Sequence, residues 1–139
     1  MDLIRPPFGV HLRKKLIKPI KSLFHACDDM PTPELLEDLL ALQHTIERMK
    51  HRLETAHEHS LEKGEYQKTI MIESLQTILH PLTGEKSGLT YFIHYLEHRG
   101  DNMESEELKK DLASLLEDII DKLEHFEKQY HEELQTTRL

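Results

Sequence analysis

Between residues 35 and 56 the chain places Leu35, Leu39, Leu42, Ile46, Met49, Leu53 and Ala56 at successive steps of 4, 3, 4, 3, 4 and 3. That spacing keeps every apolar side chain on one stripe of an α-helix, whereas a half-buried strand would need them at alternate positions. A stripe this long is covered only if a partner of similar length lies along it. The feature therefore commits the chain to long helices packed side by side. Local chemistry agrees: Thr32 is the expected N-cap, Pro33 suits the first helical position, and Glu34 complements the positive end of the helix dipole. Near Gly64 the helix is expected to break or bend.

The remaining segments follow the same logic. Val occurs once, at Val10, and Trp not at all, while Leu, Glu, Lys and His are abundant, a composition of helix formers. A helix over about 65–79 puts Met71, Ile72, Leu75, Ile78 and Leu79 on one face, with Pro81 helping to end it. The loop "HPLTGEKSG" follows, and Ser87 is the expected cap of a short helix over 88–99 with Leu89, Phe92, Ile93 and Leu96 inward. Gly100 is placed to close that helix. "GDNMESEEL" opens the last helix, capped by Asp101 or Asn102, with a stripe of Leu108, Leu112, Leu115, Ile119, Leu123, Phe126, Tyr130 and Leu134. A basic helix over about 10–28 aligns Leu16, Ile20, Leu23, Phe24 and Cys27, and Pro19 must start, kink or interrupt it. The expected fold is all-α, an antiparallel helical bundle of four main helices plus one short helix. Residues 1–9 are expected as an irregular basic arm and 10–139 as a single helical-bundle domain.

Charge is polarised along the chain. Residues 1–27 carry six basic residues against Asp2, a net of +5, while the remaining twelve basic and 25 acidic residues net −13 within a total of −8. An acidic body repels phosphates, so general nucleic-acid binding is not expected. The basic residues Arg13, Lys14, Lys15, Lys18 and Lys21 are candidates for contact with an acidic partner, a phosphate or an anionic membrane; the competing expectation is that they fold back on the acidic bundle. No run of about 18 apolar residues occurs, so no membrane span is expected, and the first residues lack the features of a secretory signal. A single cysteine, Cys27, excludes an internal disulfide and suggests a reducing, cytoplasmic setting.

Eleven histidines invite a search for metal or phosphoryl chemistry. "FIHYLEHRG" contains His94, Glu97 and His98 in the H-x-x-E-H spacing of one class of zinc hydrolase. On a helix whose inner face is Leu89, Phe92, Ile93 and Leu96, both histidines turn outward. A hydrolytic zinc needs a third protein ligand, an open water position and a cleft. His94, Glu97 and His98 are thus metal candidates on pattern alone, and no catalytic residue is assigned. His44, His51, His11, His25, His80 and His125 also project outward, and His57, His59 and His131 fall on helix flanks. Glu54 and His57 form one E-x-x-H spacing, which di-iron bundles use twice and on inward faces. The H-x-L-K-G pattern of phosphotransfer bundles is only half met at His94, and "HSLEKG" from His59 carries one inserted residue.

These readings converge on a non-enzymatic protein–protein interaction module, a small regulator, adaptor or chaperone-like subunit with an unidentified protein partner and no cofactor. The alternative is a histidine-dependent metal-binding or phosphotransfer four-helix bundle. The regular seam Leu35, Leu39, Leu42, Ile46, Met49, Leu53 is a candidate for self-association into a homodimer.

Overall fold

A computed structural model describes residues 8–83, 88–99 and 104–137 of the chain. Among the described residues every regular element is helical: α1 (Phe8–Leu12), a π-helical segment (Arg13–Ile17), α2 (Lys18–Ala26), α3 (Thr32–Glu62), α4 (Tyr66–Thr83), α5 (Gly88–Arg99) and α6 (Glu104–Thr137). The all-α expectation holds. At 1.5 Å rise per residue, α3 and α6 are rods of roughly 46 and 51 Å.

The first helical run begins at Phe8, two residues inside the expected irregular arm. Phe8 is buried and meets Tyr130 edge to face, ring centroids 5.7 Å apart. Tethering by that aromatic contact extends the helix towards the N-terminus. Pro19 lies in the first turn of α2, where the expectation placed a start or a kink. The preceding five residues widen into a π turn, with Lys18 N–H donating to Arg13 O five residues back. A widened turn accommodates a residue that lacks an N–H and whose ring crowds the carbonyl four residues earlier. The helix passes through Pro19 and keeps Leu12, Leu16, Ile17, Ile20, Leu23 and Cys27 inside.

At the start of α3 the capping position lies one residue earlier than expected. Pro31, extended at φ −59° and ψ 146°, is the last residue outside the helix and makes no side-chain cap bond. Pro31 and Pro33 both occupy positions whose N–H would have no partner inside the helix, so neither proline costs a backbone bond. At its far end α3 breaks rather than bends. Gly64 takes φ +68°, its N–H donates to Leu61 O (3.2 Å), and Glu65 N–H donates to Ser60 O (2.9 Å). This pair of reverse bonds is the glycine-terminated helix stop, and it sends α4 back along α3.

Pro81 does not end α4, which continues to Thr83. Leu82, one residue later, is buried, and Thr83 Oγ1 donates to His80 O at 3.0 Å. A proline in the last turn loses little, and burying Leu82 more than offsets it. The expected caps Ser87, Asp101 and Asn102 and the stop Gly100 lie outside the described residues.

One contiguous cluster of buried side chains draws on every helix. In α6 it uses Leu116, Ile119 and Ile120, while Leu115 is only half-buried, a shift of one position from the expected stripe. The buried arc of α6 is wider than one stripe because the helix is flanked by α1–α2 on one side and α4 with α5 on the other. The side chain of Leu134 lies outside the described residues. Contacts between the first and last segments run in opposite order along the chain: Phe8 meets Tyr130, Arg13 meets Glu127, and Lys109 donates to Met30 O.

The Leu35–Leu53 seam is spent inside the chain. Leu35, Leu39, Leu42, Ile46, Met49 and Leu53 are all buried in this core, so they are not free to pair with a second copy. The physical reason is that α4, α5 and the N-terminal helix of the same chain already lie along that stripe.

Candidate functional site

Two seams flank α3, and they are built differently. Towards α4 the seam is closed: Ser60 Oγ and Thr69 Oγ1 share a buried hydrogen bond of 2.7 Å, and His57 Nε2 lies 2.9 Å from Glu73 Oε1 nearer the surface. Towards α2 the helices are held apart, and an open groove of about 390 Å³ runs between them. Its α2 side is Lys15, Pro19, Ser22 and Ala26, and its α3 side is Asp38, Ala41 and Thr45, with Leu23, Met30 and Leu42 beneath. The residues at 15, 19, 22 and 26, like those at 38, 41 and 45, follow helical spacing along facing edges. The short side chains of Ser22, Ala26, Ala41 and Thr45 do not bridge the gap, which leaves the edges of Leu23 and Leu42 towards the opening.

The basic helix is divided in the same way. On its α6 side Arg13 grips Glu127 with two guanidinium nitrogens, at 2.9 and 2.7 Å, and Lys21 Nζ lies 3.0 Å from Glu124 Oε2. Arg13 also stands 3.5 Å from Glu124, making one continuous network. The hydrogen bond from Lys21, assisted by the charges of Lys21 and Arg13, holds the Glu124 carboxyl below its ordinary value. Fold-back onto the acidic bundle is therefore realised for Arg13 and Lys21. Lys14, Lys15 and Lys18 are exposed and make no ion pair among the described residues. Lys15 stands on the groove rim, and Lys14 and Lys18 each precede a groove-lining residue by one.

Of the eleven histidines, nine are exposed, while His11 and His57 are half-buried. His11 departs from its expected outward position because the π turn that follows shifts the phase of the run around Phe8. His94 and His98 are exposed with ring centroids 4.3 Å apart, and Glu97 is exposed beside them. Among the described residues no three His, Cys, Asp or Glu side chains converge to hold a metal ion. His59 lies in the last turn of α3, so the lysine and glycine of "HSLEKG" fall in the turn at Lys63–Gly64 rather than on the helix beside it. Cys27 is fully buried, its Sγ 3.6 Å from Phe24 O, and burial together with nearby Asp28 pushes its thiol pKa up. That is the setting of a packed small hydrophobe rather than of an activated thiolate.

Sequence reasoning found the five basic residues but not the groove. The signal was present as two lines of small residues, Ser22 and Ala26 on one helix and Ala41 and Thr45 on the other. Seeing that they face each other required knowing that α2 and α3 are neighbours. No helix among the described residues is long and apolar enough to cross a membrane. Set against known proteins, the chain matches no family model, no curated protein and no solved structure.

Proposed function

We propose that this chain is a protein-binding module that seats one amphipathic helix of a partner in the groove between α2 and α3, with no chemistry of its own. The observation that carries the reading is an apolar groove with Lys15 on its rim, flanked along the same helix by exposed Lys14 and Lys18, none of the three in an ion pair among the described residues. Apolar clefts of this kind are where amphipathic helices lay their i, i+3 and i+4 anchors. Charge sets the orientation. The partner's acidic flank faces Lys14, Lys15 and Lys18, and its basic or neutral flank faces Asp38. The proposed setting is cytoplasmic, in keeping with a free, buried Cys27.

The test is fluorescence anisotropy with a labelled helical peptide carrying leucines at i, i+3 and i+7 and glutamates on one flank. Tight, salt-sensitive binding is expected, lost in Ala41→Trp, which fills the groove from its exposed rim, and weakened in Lys15→Glu/Lys18→Glu. Binding no stronger than that of a scrambled peptide of equal charge, or unaffected by Ala41→Trp, overturns the reading.

A further inference from the structure

The exposed face of α5 carries a second site, independent of the groove. His94 and His98 are one helical turn apart, the only histidines in the chain at i and i+4. Their rings stand 4.3 Å apart with planes tilted at 59°, both open to solvent. At that separation one nitrogen from each ring can lie at the roughly 2.0–2.1 Å that a zinc ion requires, since both side chains project from the same stripe. Each imidazole then binds as a neutral nitrogen donor.

Two histidines fill half of a tetrahedral zinc shell. Among the described residues no further histidine, cysteine or carboxylate joins them. Tyr91 lies on the same face, one turn before His94 and His98's stripe begins, and is 48% exposed. Its ring lies 6.4 Å from that of Tyr95, centroid to centroid, with the planes tilted at 39°. An exposed tyrosine beside a half-buried one is a composition enriched in protein interfaces. A two-fold axis through the ion presents the same two histidines from a second copy and brings the two Tyr91 rings against the joint, a self-complementary contact. Each chain carries a net charge of −8, so two copies repel unless something positive sits between them.

We infer that His94 and His98 form a half-site for zinc(II) that is completed by the same pair from a second copy, so that zinc joins two chains through their α5 helices. The ion is held by four imidazole nitrogens and does no chemistry. This makes the chain a metal-dependent dimer whose α2/α3 groove remains open on each copy.

Titrating the untagged, chelator-treated full chain with zinc chloride, by calorimetry and sedimentation velocity together, tests this. The expected result is a stoichiometry of one zinc per two chains with a doubling of mass. His94→Ala and His98→Ala should each weaken zinc binding on the order of 100-fold or more and abolish the doubling, while His44→Ala, an exposed histidine on α3, leaves both unchanged. Tyr91→Ala should retain binding but require more protein to dimerise. One zinc per chain without a change of mass, zinc binding that survives both α5 substitutions, or a mass that zinc does not alter overturns the inference. These outcomes leave the peptide-binding reading untouched, because none of the residues involved lines the groove.

Discussion

The two sides of α3 have opposite fates. Facing α4, the helix presents Ser60 to Thr69 and His57 to Glu73, and the turn at Gly64 forces the partners together within a few residues. Facing α2, it presents Ala41 and Thr45 to Ser22 and Ala26, and the five-residue connection from Cys27 to Pro31 sets no comparable register. Side-chain size and turn geometry, more than polarity, decide which seam closes. A closed seam contributes stability, and an open one leaves surface that a partner can cover.

Deleting core volume on each side gives the largest expected contrast. Leu75 on α4 is fully enclosed, whereas Leu23 on α2 borders the groove. Large-to-small core substitutions cost about 2–5 kcal/mol, the spread reflecting the cavity left behind. Leu75→Ala should fall near the top of that range and Leu23→Ala near its foot, because the space lost beside the groove is already continuous with solvent. Urea denaturation of the two variants checks this, and equal costs would break the comparison.

Serine substitutions give a sharper and smaller contrast. Ser60 is buried and shares its hydroxyl with Thr69, while Ser22 lies exposed on the groove. Ser60→Ala should cost about 1 kcal/mol, the net value of a satisfied buried hydrogen bond. Thr69 keeps its bond to Glu65 O at 3.0 Å, so the loss should not reach the full cost of an orphaned hydroxyl. Ser22→Ala should change stability by less than about 0.5 kcal/mol. Thermal unfolding of the pair measures the difference directly.

Much of this was legible in the sequence. The 4-3 spacing from Leu35 onward identifies a buried stripe, and each of its residues through Leu53 is inside. The outward projection of His94 and His98 followed from the phase of Leu89, Phe92, Ile93 and Leu96. What could not be read were features set by competition between neighbours. Pro19 and Pro81 are helix breakers by local chemistry, yet a widened turn absorbs one and the burial of Leu82 carries the helix past the other. Leu116 displaces Leu115 because α6 is flanked on two sides. The seam that looked suited to a second copy found its cover within the chain, since periodicity reports that a stripe is buried and not by what. The groove was invisible for the converse reason: it is a pairing of two faces, and neither is distinctive alone.

The ionic side of the N-terminal helix supplies the smallest effect, and its direction is set by the Glu124 carboxyl. Lys21 and Arg13 hold that group below its ordinary value in the folded chain. A carboxyl whose folded pKa is depressed contributes stability that is present in full above its unfolded value, near 4.3 for Glu, and is lost as pH falls through the folded one. Stability should therefore decline on acidification below about pH 5, and Glu124→Gln should flatten that part of the profile. Its side chain and that of Lys21 are each more than a third exposed, at 38% and 37%, so screening limits the contribution to well under 1 kcal/mol. Raising salt should shrink it further, because the charges meet at the surface. Lys14→Gln, on the unpaired face of the same helix, should leave the acid limb of the profile unchanged. A Lys14 variant that altered it as much as Glu124→Gln would mean that the two faces of this helix are not electrostatically distinct, and the division between a closed and an open side would fail at its most exposed point.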